Sequence, residues 1–442
     1  MRRLLAALLL LVVPAMALPS MAGAGPGGHG GPVRAAALDT PGARLLTGGF
    51  DNRLVLWDAG EGHELASIVA HDAAVAFVAL SRGGDLAISA GDDGSLALWR
   101  LPELTPAGRI ATGAKPSALA VDPTGERVAL ARFDGGVELR RLADGSLIAP
   151  AAATAPRTTA LLFPDGGSLL AGTADGFLEL RRLDGATAPP LRVRAHDFAI
   201  TDLALLPGLK LASGSVDGTV RLWRLPGLEP AGELSGHERP VLALAAEPGG
   251  GLLASGDSEG RIILWRLADR TSLHVLAAHE GAVFDLAFGP AQRLWSVGGD
   301  GAVRGWQGPG FEAVAGGGGP VDIEPPALPG HARGRELFRT CIACHSLAAD
   351  GGGRAGPSLH RLYGRLAGSL PGYRYSPALQ ASGIVWTEET LARLFELGPD
   401  RYTPGSKMPL QRMPDEADRA ALAAYVAAVT GGDDVSRKER AP

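Results

Sequence analysis

An apolar strand ending in Trp, or in a residue standing in for it, recurs seven times as LVLW, LALW, VELR, LELR, VRLW, IILW and VRGW. The final residues are Trp57, Trp99, Arg140, Arg181, Trp223, Trp265 and Trp306, at intervals of 42, 41, 41, 42, 42 and 41 residues. A fixed period of this length means one supersecondary unit repeated side by side, each copy burying the apolar face of the next. A tight-turn pair precedes each strand: Asp51-Asn52, Asp93-Gly94, Asp134-Gly135, Asp175-Gly176, Asp217-Gly218, Glu259-Gly260 and Asp300-Gly301. Between alternating apolar runs such pairs close hairpins, because Gly or Asn tolerates the positive φ that a twisted hairpin needs. Aromatic residues make up only 5%, whereas Gly and Pro number 63 and 33, which suits many short strands and turns.

The pattern resembles the WD40 family and implies an all-β, seven-bladed propeller of four-stranded blades over residues 32–315. In that family a His, a Ser or Thr, the turn Asp and the Trp form a buried hydrogen-bond chain within one blade. Three blades carry all four residues: His71, Ser89, Asp93 and Trp99; His196, Ser213, Asp217 and Trp223; His279, Ser296, Asp300 and Trp306. A fourth carries His237, Ser255 and Trp265, with Glu259 in place of the Asp. The blades ending at Arg140 and Arg181 lack both Trp and His, and are expected to be looser or packed differently. Because these His recur once per repeat, they read as structural groups rather than metal ligands. The first repeat has its own four strands, from Val33 to about Val69, so the first and last blades are expected to abut.

Gly316 to Gly330 reads GGGGPVDIEPPALPG, where Gly adds flexibility and Pro extends the chain, so residues 316–330 form a linker. Beyond it, CIACH (Cys341 to His345) uses both cysteines of the chain. This is the spacing of covalent c-type haem attachment: each thiol forms a thioether, and the adjoining His345 is placed as the proximal iron ligand. PGSKMP supplies Met408 as the sixth ligand, 63 residues after His345, with Met413 as its rival. A zinc site would need a second pair of ligands that no cysteine is left to supply. A redox-active CxxC would need neither the His nor the Met. One covalent haem c, with its iron, is therefore the expected cofactor.

From 331 to 430 the pattern becomes helical, and a polar tail follows over 431–442. GRELFRTCIACH places Leu337 and the cysteine pair on one helix face; DEADRAALAAYVAAVT is a second amphipathic helix, with Asp415 as N-cap and Leu422, Tyr425 and Val426 turned inward. The strings GPSLH, YGRLAG, GYRYS, GIVWTEETL and YTPGSKMP closely resemble class I cytochrome c of the mitochondrial and c2 kind. The fold class is thus multidomain, a propeller followed by an all-α domain. The resemblance implies that the Pro357 carbonyl accepts from the second nitrogen of His345 and that Arg365, Tyr375 and Trp386 surround the haem propionates. Leu379 and Phe395 stand where the family usually has an Asn and a Tyr, which implies a drier Met side; dryness raises the potential, whereas loss of a Met-stabilising bond loosens ligation, and the resemblance leaves the sign open. Asp400 replaces a docking Lys of mitochondrial relatives, although Arg401 and Lys407 remain basic nearby, so steering of an acidic partner is expected to be weaker.

The chain opens with MRRLLAALLLLVVPAMALPSMAGAG: two Arg, a short apolar core and small-residue cleavage sites after Ala17 or Ala24. This reads as a signal peptide over 1–24. No other stretch approaches the apolar length of a membrane span. The mature protein is expected in the periplasm, without a transmembrane segment. A net charge of −5 gives no reason to expect nucleic acid or an anionic membrane as partner. The expected function is one-electron transfer by a carrier without catalytic residues, with the propeller docking a redox protein in the periplasm or at the membrane. The alternatives are a propeller-based dehydrogenase, whose family has larger eight-bladed rings, and a peroxidase-like or sensing haem protein, which needs Met408 to leave the iron.

Overall fold

The computed structural model describes residues 28–430, apart from 152–155, 184–188, 318–324, 348–355 and the positions 40, 82, 209, 309, 343, 374, 404–405, 407 and 409–410. The signal segment 1–24, the tail 431–442 and residues 318–324 of the central linker therefore lie outside the described residues.

The seven repeats fold as seven four-stranded antiparallel sheets. In the first blade the strands Val33–Leu38, Arg44–Gly49, Arg53–Asp58 and Glu64–Val69 lie side by side in chain order, and every later blade repeats this meander. The first strand of each blade packs against the first strands of its neighbours, so these strands form the innermost ring. The close approach dictates the residues. A Cβ on Gly48 would come within 2.5 Å of Val75 of the next blade, and one on Gly256 equally close to Val283. The ring closes by abutment, each blade being drawn from one continuous segment: Val33, Val55 and Trp57 of the first blade share an apolar cluster with Trp295 and Val297 of the last.

The seams are also hydrogen-bonded. The hydroxyl of Ser117 donates to the Thr158 carbonyl (2.8 Å), and that of Thr201 to the Val241 carbonyl (2.7 Å), each crossing to the next blade. Asp202 accepts from the Leu244 N–H at 2.7 Å. Asp285 of the seventh blade makes the equivalent contact, accepting from the Ala36 N–H of the first at 2.9 Å.

The expected hydrogen-bond chains are present. In the second blade Trp99 Nε1 donates to Ser89 Oγ (2.9 Å), Ser89 meets His71 Nε2 (2.8 Å), and His71 Nδ1 meets Asp93 (3.2 Å). Trp223, Ser213, His196 and Asp217 repeat this at 3.0, 2.8 and 2.9 Å, as do Trp306, Ser296, His279 and Asp300 at 2.9, 2.8 and 2.8 Å. A carboxylate on Nδ1 fixes the tautomer, leaving Nε2 to accept from the hydroxyl. Burial alone would push Asp300 up, but its bond to His279 brings it down to about 2.

Two corrections concern these chains. In the sixth blade Glu259 does not replace the Asp. Asp257, two residues earlier, meets His237 Nδ1 at 2.9 Å, while Glu259 pairs with Arg239 at the surface. The first blade carries a chain of its own, which uses a residue before Val33: His29 meets Asp51 (3.0 Å) and Thr47 (2.8 Å), and Trp57 donates to Thr47 (2.7 Å). The third and fourth blades use ion pairs instead: Arg140 bonds Glu138 at 2.7 Å, and Arg192 spans Asp175 (3.0 Å) and Glu179 (2.9 Å).

The C-terminal domain is helical: α1 (Ala332–Ile342), α2 (Pro377–Gln380), α3 (Glu388–Leu397), α4 (Pro399–Tyr402) and α5 (Glu416–Thr430). Asp415 caps α5 by accepting from the Asp418 N–H at 3.0 Å. Leu422, Tyr425 and Val426 are buried, with Tyr425 packed on Phe338 of α1 at 5.4 Å between ring centroids. The two helices cross at Gly334, where a Cβ would sit 2.2 Å from the Ala421 carbonyl oxygen. Tyr425 also donates to the Pro326 carbonyl (2.9 Å), tying the end of the linker to the helix pair. Among the described residues no helix is long and apolar enough to cross a membrane.

Candidate functional site

The last turn of α1 delivers the CIACH residues to a cleft. The N–H groups of Cys344 and His345 both donate to the Cys341 carbonyl (3.1 and 2.9 Å), a tight turn that swings His345 under the helix end. Cys341 is buried, Cys344 is half-buried, and the two form no disulfide. His345 Nδ1 donates to the Pro357 carbonyl at 2.8 Å, as expected. A carbonyl can only accept, so the proton is on Nδ1 and the Nε2 lone pair is free for a metal. Burial pushes the imidazole pKa down, the bond to Pro357 offsets part of this, and the Arg365 guanidinium adds to the lowering. Gly356 is required beside it, since a Cβ there would come within 2.5 Å of the imidazole.

The opposite wall comes from the segment after α4. Met408 lines the same cleft as His345, its N–H held by Ser406 Oγ at 3.2 Å. Met413 is not among the lining residues; its N–H bonds the Phe395 carbonyl at 2.8 Å behind the wall. Leu379 and Phe395 both face the cleft, so the two positions expected to be polar in relatives are apolar here. Arg365, Tyr375 and Trp386 also line it. A bridge between Leu366 and Val385 brings Arg365 and Trp386 together, and the Trp386 N–H donates to the Arg365 carbonyl at 3.0 Å. The Arg365 guanidinium is anchored on the Ser358 (2.6 Å) and His360 (3.1 Å) carbonyls. Tyr373, not singled out from the sequence, packs at a tilt on Tyr375, 4.7 Å between ring centroids, and joins the lining.

The cleft encloses about 1280 Å³ of space, counting its open mouth. Two thiols, a metal-ready imidazole nitrogen and a thioether stand on its walls. These residues fit a covalently bound haem.

A sequence profile described as Cytochrome c matches residues 331–430. The cytochrome c of Gibberella zeae is 42% identical over 95 residues, 21% of this chain and 89% of its own length. The chain belongs to the cytochrome c family. The cytochrome c of Arabidopsis thaliana (40% over 95 residues; 21% of this chain, 84% of its own) and the cytochrome c2 of Blastochloris viridis (36% over 106 residues; 24% and 83%) are similar to the same domain. The cofactor of this cytochrome c domain is a covalently bound haem c with iron, and its role is electron transfer. A second profile, WD domain, G-beta repeat, matches 26–58, 62–100, 188–224, 228–266 and 270–307, the five segments that each hold a complete His to Trp chain. The unmatched third and fourth blades are the two without one. WD40 repeats point to interaction with other proteins.

The sequence reasoning missed three cleft residues outside the cytochrome domain. Phe50, Asn52 and Ala74 of the propeller line the mouth of the same cleft. The side chain of Asp400, and all of Lys407, lie outside the described residues, so the expected charge pattern at the haem edge is not placed by the structure.

Proposed function

We propose that the protein is an exported, periplasmic electron carrier in which one haem is held by Cys341 and Cys344 and ligated by His345 and Met408. The observation that carries this reading is that His345 and Met408 face one cleft, with the Pro357 carbonyl orienting the imidazole. Bound there, the haem supplies a single iron that gains or loses one electron. Held by His345 and Met408 together, a haem iron there would leave substrate no open coordination site. The chain therefore acts as a carrier rather than a catalyst. Leu379, Phe395, Leu391 and Leu394 exclude water from the cleft. Arg365, Tyr375 and Trp386 supply donors for propionates, which need partners when buried. The propeller docks the redox partner and, through the linker, raises the local concentration of the haem domain at it.

The test is expression of the full chain, with and without residues 1–24, in cells competent for haem attachment outside the cytoplasm. The expected product with the leader is a periplasmic chain with one acid-stable haem, low-spin and six-coordinate in both oxidation states. Met408→Ala abolishes the Met-to-iron charge-transfer band, and Met413→Ala leaves it. A five-coordinate wild-type ferric spectrum, or haem attachment independent of the leader, overturns the reading.

A further inference from the structure

The haem cleft is not closed by the cytochrome domain alone. Phe50 and Asn52 sit in the turn between the strands Arg44–Gly49 and Arg53–Asp58 of the first blade, and Ala74 immediately precedes the strand Val75–Leu80 of the second. All three line the same cleft as His345 and Met408. This rim is rigid. Phe50 packs on Phe284 of the last blade (6.3 Å between centroids) beneath the Arg34 guanidinium (5.9 Å), and Arg34 is held by Asp92 at 3.3 Å. The Phe50 N–H donates to the Pro32 carbonyl at 2.9 Å. The Asn52 backbone is fixed too: its φ is 67°, its N–H bonds the Gly49 carbonyl (3.2 Å), and its carbonyl accepts from Ala70 (2.9 Å) and His71 (3.3 Å). Its carboxamide has no hydrogen-bond partner among the described residues. The rim thus offers the mouth an apolar ring, a methyl group and a spare amide donor.

We propose that this rim is a wall of the haem site: the propeller docks its own cytochrome domain through Phe50, Asn52 and Ala74, covering the haem mouth. The occupant of this part of the propeller face is the segment 331–430 of the same chain. A partner that exchanges electrons at this mouth must therefore engage the rim or displace it. The inference rests on the haem reading above. Two effects follow from excluding water at the mouth. Small hydrophilic reductants reach the haem more slowly. The ferric state, which carries one more positive charge, is disfavoured, because burial is one of the levers on haem potential.

Two experiments on the full-length holoprotein test the contact. In the first, an aryl-ketone photo-crosslinking residue replaces Asn52 and, as control, the exposed Glu103 in a turn remote from the rim. Position 52 is expected to yield peptides joined to residues 331–430, and position 103 none. In the second, Asn52→Gly, which keeps the positive φ, and Phe50→Ala are compared with wild type. Both are expected to speed reduction by ascorbate several-fold and to lower the midpoint potential, with one haem per chain and Met ligation retained. Absence of crosslinks from position 52, or unchanged rate and potential in both variants, overturns the proposal. Loss of haem stoichiometry in the wild type would instead overturn the haem reading, so the two failures are distinguishable.

Discussion

The carboxylate of Asp285, in the innermost strand of the last blade, accepts a hydrogen bond at 2.9 Å from the backbone N–H of Ala36 in the first, clasping the two ends of the ring. Burial, with the Asp202 carboxyl adding to it, pushes this carboxyl up to about 7, and the Ala36 and Leu286 amides only partly offset the rise.

The sign of the resulting pH dependence follows. In the unfolded chain the carboxyl ionises near pH 4, whereas in the folded ring it holds its proton to about 7. This group's contribution to stability is full below pH 4 and is lost as the pH rises to about 7. His196 and His237, whose pKa values burial lowers, act oppositely, losing stability as pH falls below the ordinary His range. Comparing Asp285→Asn with wild type cancels the His terms. The stability of wild type minus that of the variant is expected to fall by up to a few kcal/mol between about pH 4 and 7, measured as the urea midpoint of the propeller transition. Parallel curves across this range would show that Asp285 does not titrate there.

In the sixth blade Asp257 and Glu259 compete for one role, and the geometry separates them. Asp257 is fully buried on His237, and its removal leaves a buried imidazole N–H unpaired, at a cost of about 1–3 kcal/mol. Glu259 and Arg239 have more than half of their side chains exposed (58% and 55%), and such pairs contribute at most about 1 kcal/mol. Chemical denaturation should therefore show a clear loss for Asp257→Ala and little for Glu259→Ala. The reverse order would return the role to Glu259.

That exchange shows which parts of the molecule can be read from the chain. The Trp-ended strands and CIACH are legible because a single strict spacing encodes each. Asp257 is not, because an acid from either of two turn positions can reach the same ring. His29 was legible but fell outside the strand pattern: His29, Thr47, Asp51 and Trp57 keep the offsets of 18, 22 and 28 residues found from His71 to Trp99. Within the haem cleft, recurring strings located the residues of 331–430. Phe50, Asn52 and Ala74 have no local signature, since they meet the cleft only through the tertiary arrangement of segments more than 250 residues apart.

At the helix crossing, a Cβ on residue 334 would lie 2.2 Å from the Ala421 carbonyl oxygen and 2.5 Å from the Tyr425 Cβ. Neither is the end of a flexible side chain, so the helices must separate. Gly334→Ala is expected to cost about 1–3 kcal/mol, as overpacking does elsewhere. The midpoint of the haem-domain transition, followed by Soret absorbance, should fall, while the far-ultraviolet transition of the propeller stays put. An unchanged Soret midpoint would mean that α1 and α5 do not cross at this position.

Leu379 and Phe395 leave the Met408 side of the cleft apolar. The ferric centre carries one more positive charge than the ferrous one, so an apolar lining favours the reduced state and a polar group there favours the oxidised one. Leu379→Asn should therefore lower the midpoint potential, on the order of tens of millivolts, because its amide oxygen adds a dipole near the iron. Phe395→Tyr should shift it in the same direction, and the double variant should shift it further. Potentiometric titration reads the shift, and the Met-to-iron band in each variant establishes that ligation is intact. A rise in potential with that band retained would show that the lining acts through the strength of the Met408 bond rather than through the polarity of the cleft.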